Sequence, residues 1–157
     1  MRQVLLSSAF AVALAACGPS PPSQPSGSAP PAAPQASSAE MQARIGALEA
    51  PYNEANYEAG RRVFAQCRSC HTIDPAGGNR VGPNLHGVFG REAGTAQGFN
   101  YSQALQDANF TWDGEHLDHW LSNPQTFLPG NRMAFAGVHD DAQRRDVIAY
   151  LMVESER

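Results

Sequence analysis

The sequence predicts an all-α fold of three main helices and long loops, with no sheet, confined to residues 51–157. Three observations carry that expectation. Residues 52–66, 113–122 and 140–154 read as helices. Between them run stretches punctuated by Gly and Pro, which read as loops. From Gly18 to Ala39 the chain has a composition that cannot bury a core.

Residues 52–66 open with Glu54 and Glu58 and close with Arg61 and Arg62. That charge order matches the helix dipole, which favours acids at the N-terminus and cations at the C-terminus. Residues 140–154 begin with Asp140 and Asp141 and set Val147, Ile148 and Leu151 along one side. A chain of 157 residues suffices for one ordinary domain and not comfortably for two. It holds 15 acids against 11 Arg and no Lys, a formal charge of −4. A nucleic-acid partner, which calls for a basic patch, is therefore not expected. Three Cys are too few for a disulfide framework.

The N-terminus reads as targeting and tether. Arg2 precedes a 13-residue uncharged run from Val4 to Ala16, the length of a signal-peptide h-region. A spanning helix needs roughly 20 apolar residues. The run ends Leu14-Ala15-Ala16-Cys17, which resembles a bacterial lipobox, so residues 1–16 are expected to be cleaved and Cys17 acylated. Three acyl chains, at ~0.8 kcal/mol per buried CH₂, would hold the protein essentially permanently in a bilayer. From Gly18 to Ala39 the chain has seven Pro and six Ser, with no charge and no aromatic residue. Such a segment favours an extended spacer at ~3.1 Å per residue. Met41, Ile45 and Leu48 then suggest a short amphipathic turn or two, grouped here with the linker 17–50.

The first helix runs into Cys67-Arg68-Ser69-Cys70-His71. C-x-x-C-H is the attachment signal for c-type haem. Two thiols one turn apart can each form a thioether to a vinyl group, and the adjacent imidazole can then reach the iron. Other readings compete at this point. A thioredoxin-like pair would call for a βαβ context. A zinc site would need more ligands than Cys67, Cys70 and His71. A plain Cys67–Cys70 disulfide is sterically possible.

An ordered series of further motifs decides among them. Glu58-Ala59-Gly60-Arg61-Arg62-Val63-Phe64 precedes the pentapeptide, and Gly82-Pro83-Asn84-Leu85-His86-Gly87-Val88-Phe89-Gly90-Arg91 follows it. Gly98-Phe99-Asn100-Tyr101, Phe110-Thr111-Trp112, Trp120-Leu121-Ser122-Asn123-Pro124 and Leu128-Pro129-Gly130-Asn131-Arg132-Met133 come after in turn. From Tyr52 to Leu151 the chain resembles the class I cytochromes c, in the mitochondrial and bacterial c2-like branch.

The resemblance implies one haem c, attached through Cys67 and Cys70, with His71 and Met133 as axial ligands. It implies that the Pro83 carbonyl accepts the His71 N–H, and that Arg91, Tyr101, Trp112 and Asn131 serve the haem propionates. Gly60 becomes the close-approach point for Tyr150 on the last helix. Two positions depart from the branch: Trp120 replaces its usual Tyr and Leu105 its usual Asn. Of the other histidines, His86 is expected at the surface or in a hydrogen bond, and His116 and His119 in solvent. His139 is read as a residue that could displace Met133 on denaturation.

His/Met ligation closes both axial sites and raises the potential. The implied function is single-electron transfer, without catalysis or a small-molecule substrate. The expected place is the periplasmic side of a bacterial membrane, between a quinol-oxidising donor complex and a terminal oxidase or reductase. The alternative is a haem subunit serving one periplasmic dehydrogenase.

Overall fold

Helices α2 (Tyr57–Phe64) and α6 (Asp141–Glu154) pack directly on one another and form the frame of the protein. The computed structural model describes residues 36–156. The expected signal peptide 1–16, Cys17 and most of the linker lie outside the described residues. Tyr57, Gly60, Val63 and Phe64 are the buried face of α2. Opposite them α6 buries Val147, Ile148, Tyr150 and Leu151. The Tyr150 ring lies 5.4 Å from that of Tyr57 and 5.2 Å from that of Phe64, both in tilted contact. A Cβ built on Gly60 would strike the Asp146 carbonyl oxygen and stand 2.7 Å from Tyr150 Cβ. Only glycine lets the two backbones come this close.

The remaining elements are α1 (Ser38–Gly46), the single turns α3 (Gln103–Gln106) and α5 (Pro124–Phe127), and α4 (Gly114–Ser122). Their starts are set by side-chain caps. Asn56, Ser102, Asp113, Asn123 and Asp140 each accept from a backbone N–H in the first turn that follows. Such a cap is typically worth ~1 kcal/mol. Among the described residues there is no strand, only an isolated antiparallel bridge between Glu92 and Thr111. No described helix is long and apolar enough to cross a membrane.

Two expectations need correction. The helix expected over 52–66 is broken: Tyr52–Glu54 is a 3-10 turn, and α2 starts only at Tyr57. Asn56 interrupts it, because its side chain takes the Ala59 N–H while its own N–H goes to Asp146 on α6.

The boundary at residue 51 also falls too late. Helix α1 was grouped with the linker, yet Met41 and Ile45 are 0% exposed and belong to the core. Its start is fixed by a reciprocal Ser37/Glu40 capping box. Gln42 ties it down, donating to Ala55 O at 2.9 Å and accepting from Tyr57 N–H at 2.8 Å. The amphipathic spacing of Met41 and Ile45 was legible, but not the surface it covers.

Helix α4 lays Leu117, Trp120 and Leu121 into the core and packs against α6. Arg144 joins the two. Its guanidinium donates to Asp118 at 2.7 Å and to Asp141 at 2.8 Å. It also donates to Val138 O at 2.9 Å, pinning the loop that enters α6.

Candidate haem centre

The pentapeptide sits where α2 runs out. Gln66, Cys67 and Cys70 continue the chain in tight i→i−3 turns, with N–H bonds to Val63 O, Phe64 O and Cys67 O. The two cysteines are thus one turn apart, and no disulfide joins them. Burial, with a smaller contribution from Cys70, pushes the Cys67 thiol up to about 11.

His71 is held from both sides. Its Nδ1 lies 2.8 Å from Pro83 O, a carbonyl that can only accept. The proton is therefore assigned to Nδ1, which leaves Nε2 with its lone pair outward. Burial lowers the imidazole pKa against the opposing effect of that bond, so the ring stays neutral. Gly82 presses on the ring: a Cβ there would collide with Cε1 and stand 2.7 Å from both nitrogens. Neutral imidazole with one free nitrogen is the form a metal takes.

The loop carrying Pro83 is locked by a residue the sequence reading passed over. Asn84 donates to Thr72 Oγ1 and to Asp74 O, each at 2.9 Å, and also to Gly77 O. Its Oδ1 accepts the His86 N–H at 2.6 Å. An Asn amid Gly and Pro is a turn-forming signal, so the position, though not the partners, was discoverable.

Met133 lies in the irregular stretch between α5 and α6, half-buried against the core. Its N–H donates to Asn131 Oδ1 at 2.9 Å, and its carbonyl accepts from Gln125 Nε2 at 3.0 Å. Downstream, Val138 donates to Leu121 O at 2.7 Å. Asn131 corrects an expectation. Both of its amide hydrogens are spent, on Pro124 O and Leu128 O at 2.8 Å each. It shapes the Met133 loop and has no donor left for a propionate.

The other three expected propionate partners are Arg91, Tyr101 and Trp112. Arg91 is half-buried and donates to two carbonyls, Asn84 O at 3.1 Å and His86 O at 3.3 Å. It forms no ion pair among the described residues, and burial lowers its pKa. A partly desolvated guanidinium without a carboxylate is suited to receive one. Tyr101 is buried and close enough for Arg91 to pull its raised pKa part-way down. The Trp112 and Trp120 rings meet edge-on at 5.4 Å, both buried. Leu105, the other departure, is buried.

The histidines divide differently from expectation. His86 is half-buried, and its Nδ1 is buried without a partner. His116 lies flat against Phe110 at 4.7 Å and bonds Asp113 at 2.8 Å, while His119 is exposed. No group of three or more metal-ligating side chains exists among the described residues.

A helical domain that combines a neutral, backbone-held imidazole beside two thiols with a thioether in a braced loop defines a class of protein, the class I cytochromes c. The cytochrome c family pattern matches residues 57–153. This chain belongs to that family, which implies one covalently bound haem c with its iron. It is 39% identical over 106 residues to cytochrome c of Kluyveromyces lactis, covering 67% of this chain and 96% of the yeast protein. It is 41% identical over 107 residues to cytochrome c2 of Blastochloris viridis, covering 68% of this chain and 84% of the relative. Among solved structures it is similar to cytochrome cH from Methylobacterium extorquens. The TM-score is 0.58 at 41% identity, over 61% of this chain and 96% of that one. Helix α1 lies outside the family match.

Proposed function

We propose that this chain is a monohaem electron carrier tethered to the periplasmic face of a bacterial membrane. Acylated Cys17 would anchor it. It would carry electrons from a membrane donor, such as a quinol-oxidising complex, to a terminal oxidase or reductase. Haem c supplies one-electron chemistry at its iron. Cys67 and Cys70 would hold the group covalently, and His71 and Met133 would supply the two axial ligands. Arg91, Tyr101 and Trp112 would face its propionates.

The observation that carries this reading is the bracing of both ligand residues, His71 by a backbone carbonyl and Met133 at its own peptide by two side chains. Pro83 O fixes the His71 tautomer, and the Met133 peptide is bonded at both its N–H and its C=O. Ligands held on both sides change little between oxidation states, so little reorganisation opposes electron transfer. They also leave no open site for a substrate, which separates a carrier from a haem enzyme.

The anchor is tested with Cys17→Ser. Expected is a soluble periplasmic protein with an unaltered haem spectrum, because the lipidated end and the haem domain are separable. Tight membrane association that survives the substitution removes Cys17 from the account. Purification of the native protein from membranes names its partners. A flavin- or quinone-bearing dehydrogenase recovered with it in fixed ratio would replace the shuttle by a dedicated subunit.

A further inference from the structure

The thioether ligand sits on an irregular loop whose own backbone bonds near it are few: Phe135 N–H to Met133 O at 3.1 Å and Asn131 N–H to Leu128 O at 3.2 Å. The Met133 N–H is taken by Asn131, two residues away. The Met133 carbonyl is reached from another element, by Gln125 on the single turn α5. The same Gln125 nitrogen donates to Asn131 Oδ1 at 3.2 Å. A carboxamide nitrogen carries two hydrogens, and both are committed here. Asn131 is in turn fixed by Pro124 O and Leu128 O, which flank Gln125.

We infer that Gln125 is a positioning residue for Met133: its carboxamide clasps the Met133 carbonyl and the Asn131 side chain, keeping the thioether directed at the haem iron. Gln125 is an exposed surface residue. The hydrogen bonds its side chain gives to the Met133 loop are these two. With the peptide held at both N–H and C=O, Met133 keeps freedom only in its side chain. Losing the clasp raises the fraction of time that the sulfur is off the iron, while α2, α4 and α6 stay packed. The inference rests on the reading of Met133 as axial ligand.

The test uses the full-length holoprotein with Gln125→Ala, Gln125→Glu and Gln125→Lys. Two readouts are followed on ferric protein: the sulfur-to-iron charge-transfer band, and the rate at which added imidazole displaces the sulfur. In the Ala and Glu variants displacement should quicken about fivefold, equivalent to ~1 kcal/mol, the net worth of one hydrogen bond. The band should fade at a lower temperature than in the parent, while far-UV helix melting stays where it was. Gln125→Lys, which returns a donor of similar reach, should recover most of the parental rate. Unchanged displacement in both Ala and Glu overturns the clasp. So does a parallel fall of band and helix signal, which would make Gln125 a general stability residue. Absence of the band from the parent protein would instead overturn the Met133 assignment, and the clasp with it.

Discussion

The Pro83 carbonyl oxygen lies 2.8 Å from His71 Nδ1, while at Gly82, the residue before it, the same ring fills the space a Cβ would need. The pair sets tautomer and tilt together. Gly82→Ala should displace the imidazole, since a Cβ would stand 2.7 Å from both ring nitrogens. Expected is a sharp drop in holoprotein yield and a shifted Soret band in what remains. A full yield with the parental spectrum would show that the ring has room the geometry denies it.

Met133→Ala removes the sulfur and leaves the loop bonds of Asn131 and Gln125 available. The charge-transfer band should vanish and the reduction potential should fall, because thioether favours ferrous iron. Optical redox titration measures both, and an unchanged spectrum sinks the assignment.

Gly60→Ala tests the α2–α6 crossing. The added methyl would meet the Asp146 carbonyl and the Tyr150 side chain, and neither can swing away without parting the helices. Overpacking of this kind costs about 1–3 kcal/mol. Guanidinium unfolding should register that loss, with a potential that hardly moves because the haem ligands lie elsewhere.

Met41→Ala asks whether α1 is part of the domain. A fully buried methionine truncated to alanine costs about 2–5 kcal/mol. If α1 were merely tether, the unfolding midpoint would not change at all.

Salt dependence tests how the partner is met. At surface positions where Lys rings the haem edge of mitochondrial relatives, this chain carries Gln66, Gln125, Thr126, His139, Asp140 and Asp141. Arg62, Arg80 and Arg132 are exposed cations that remain, and Arg132 already donates to Asn100 O. A tether raises effective concentration without steering. If Cys17 carries the proposed lipid, turnover with the proposed terminal oxidase should change less than about threefold as screening shortens from ~30 to ~8 Å. The Cys17→Ser form should lose rate with dilution instead. A steep fall with salt, and no penalty for losing the lipid, would mean that the three Arg steer after all.

Asn131 shows where reading from motifs stopped. Its place two residues before Met133 marked it as part of the site, but not which hydrogen-bonding direction its amide would take. That depended on Pro124 O and Leu128 O being turned toward it by α5, a single turn with no periodicity to read. Gln125 was missed as a site residue for the same reason and looked like plain surface.

By itself the sequence determined whatever depends on local spacing: the cysteine pair one turn apart with His71 adjacent, and the helices begun by acids near residues 113 and 140. These follow from covalent geometry and the 3.6-residue turn, which act over a few residues. Tertiary structure alone decided that α1 joins the core, that Asn56 splits the first helix by binding Asp146, and that no described Asp or Glu pairs with Arg91. It also decided that Arg144 gathers Asp118, Asp141 and Val138 O at one guanidinium. Each of these is a contact between segments far apart in the chain. Its stability comes from desolvation and from hydrogen-bond partners that exist only once the helices have packed.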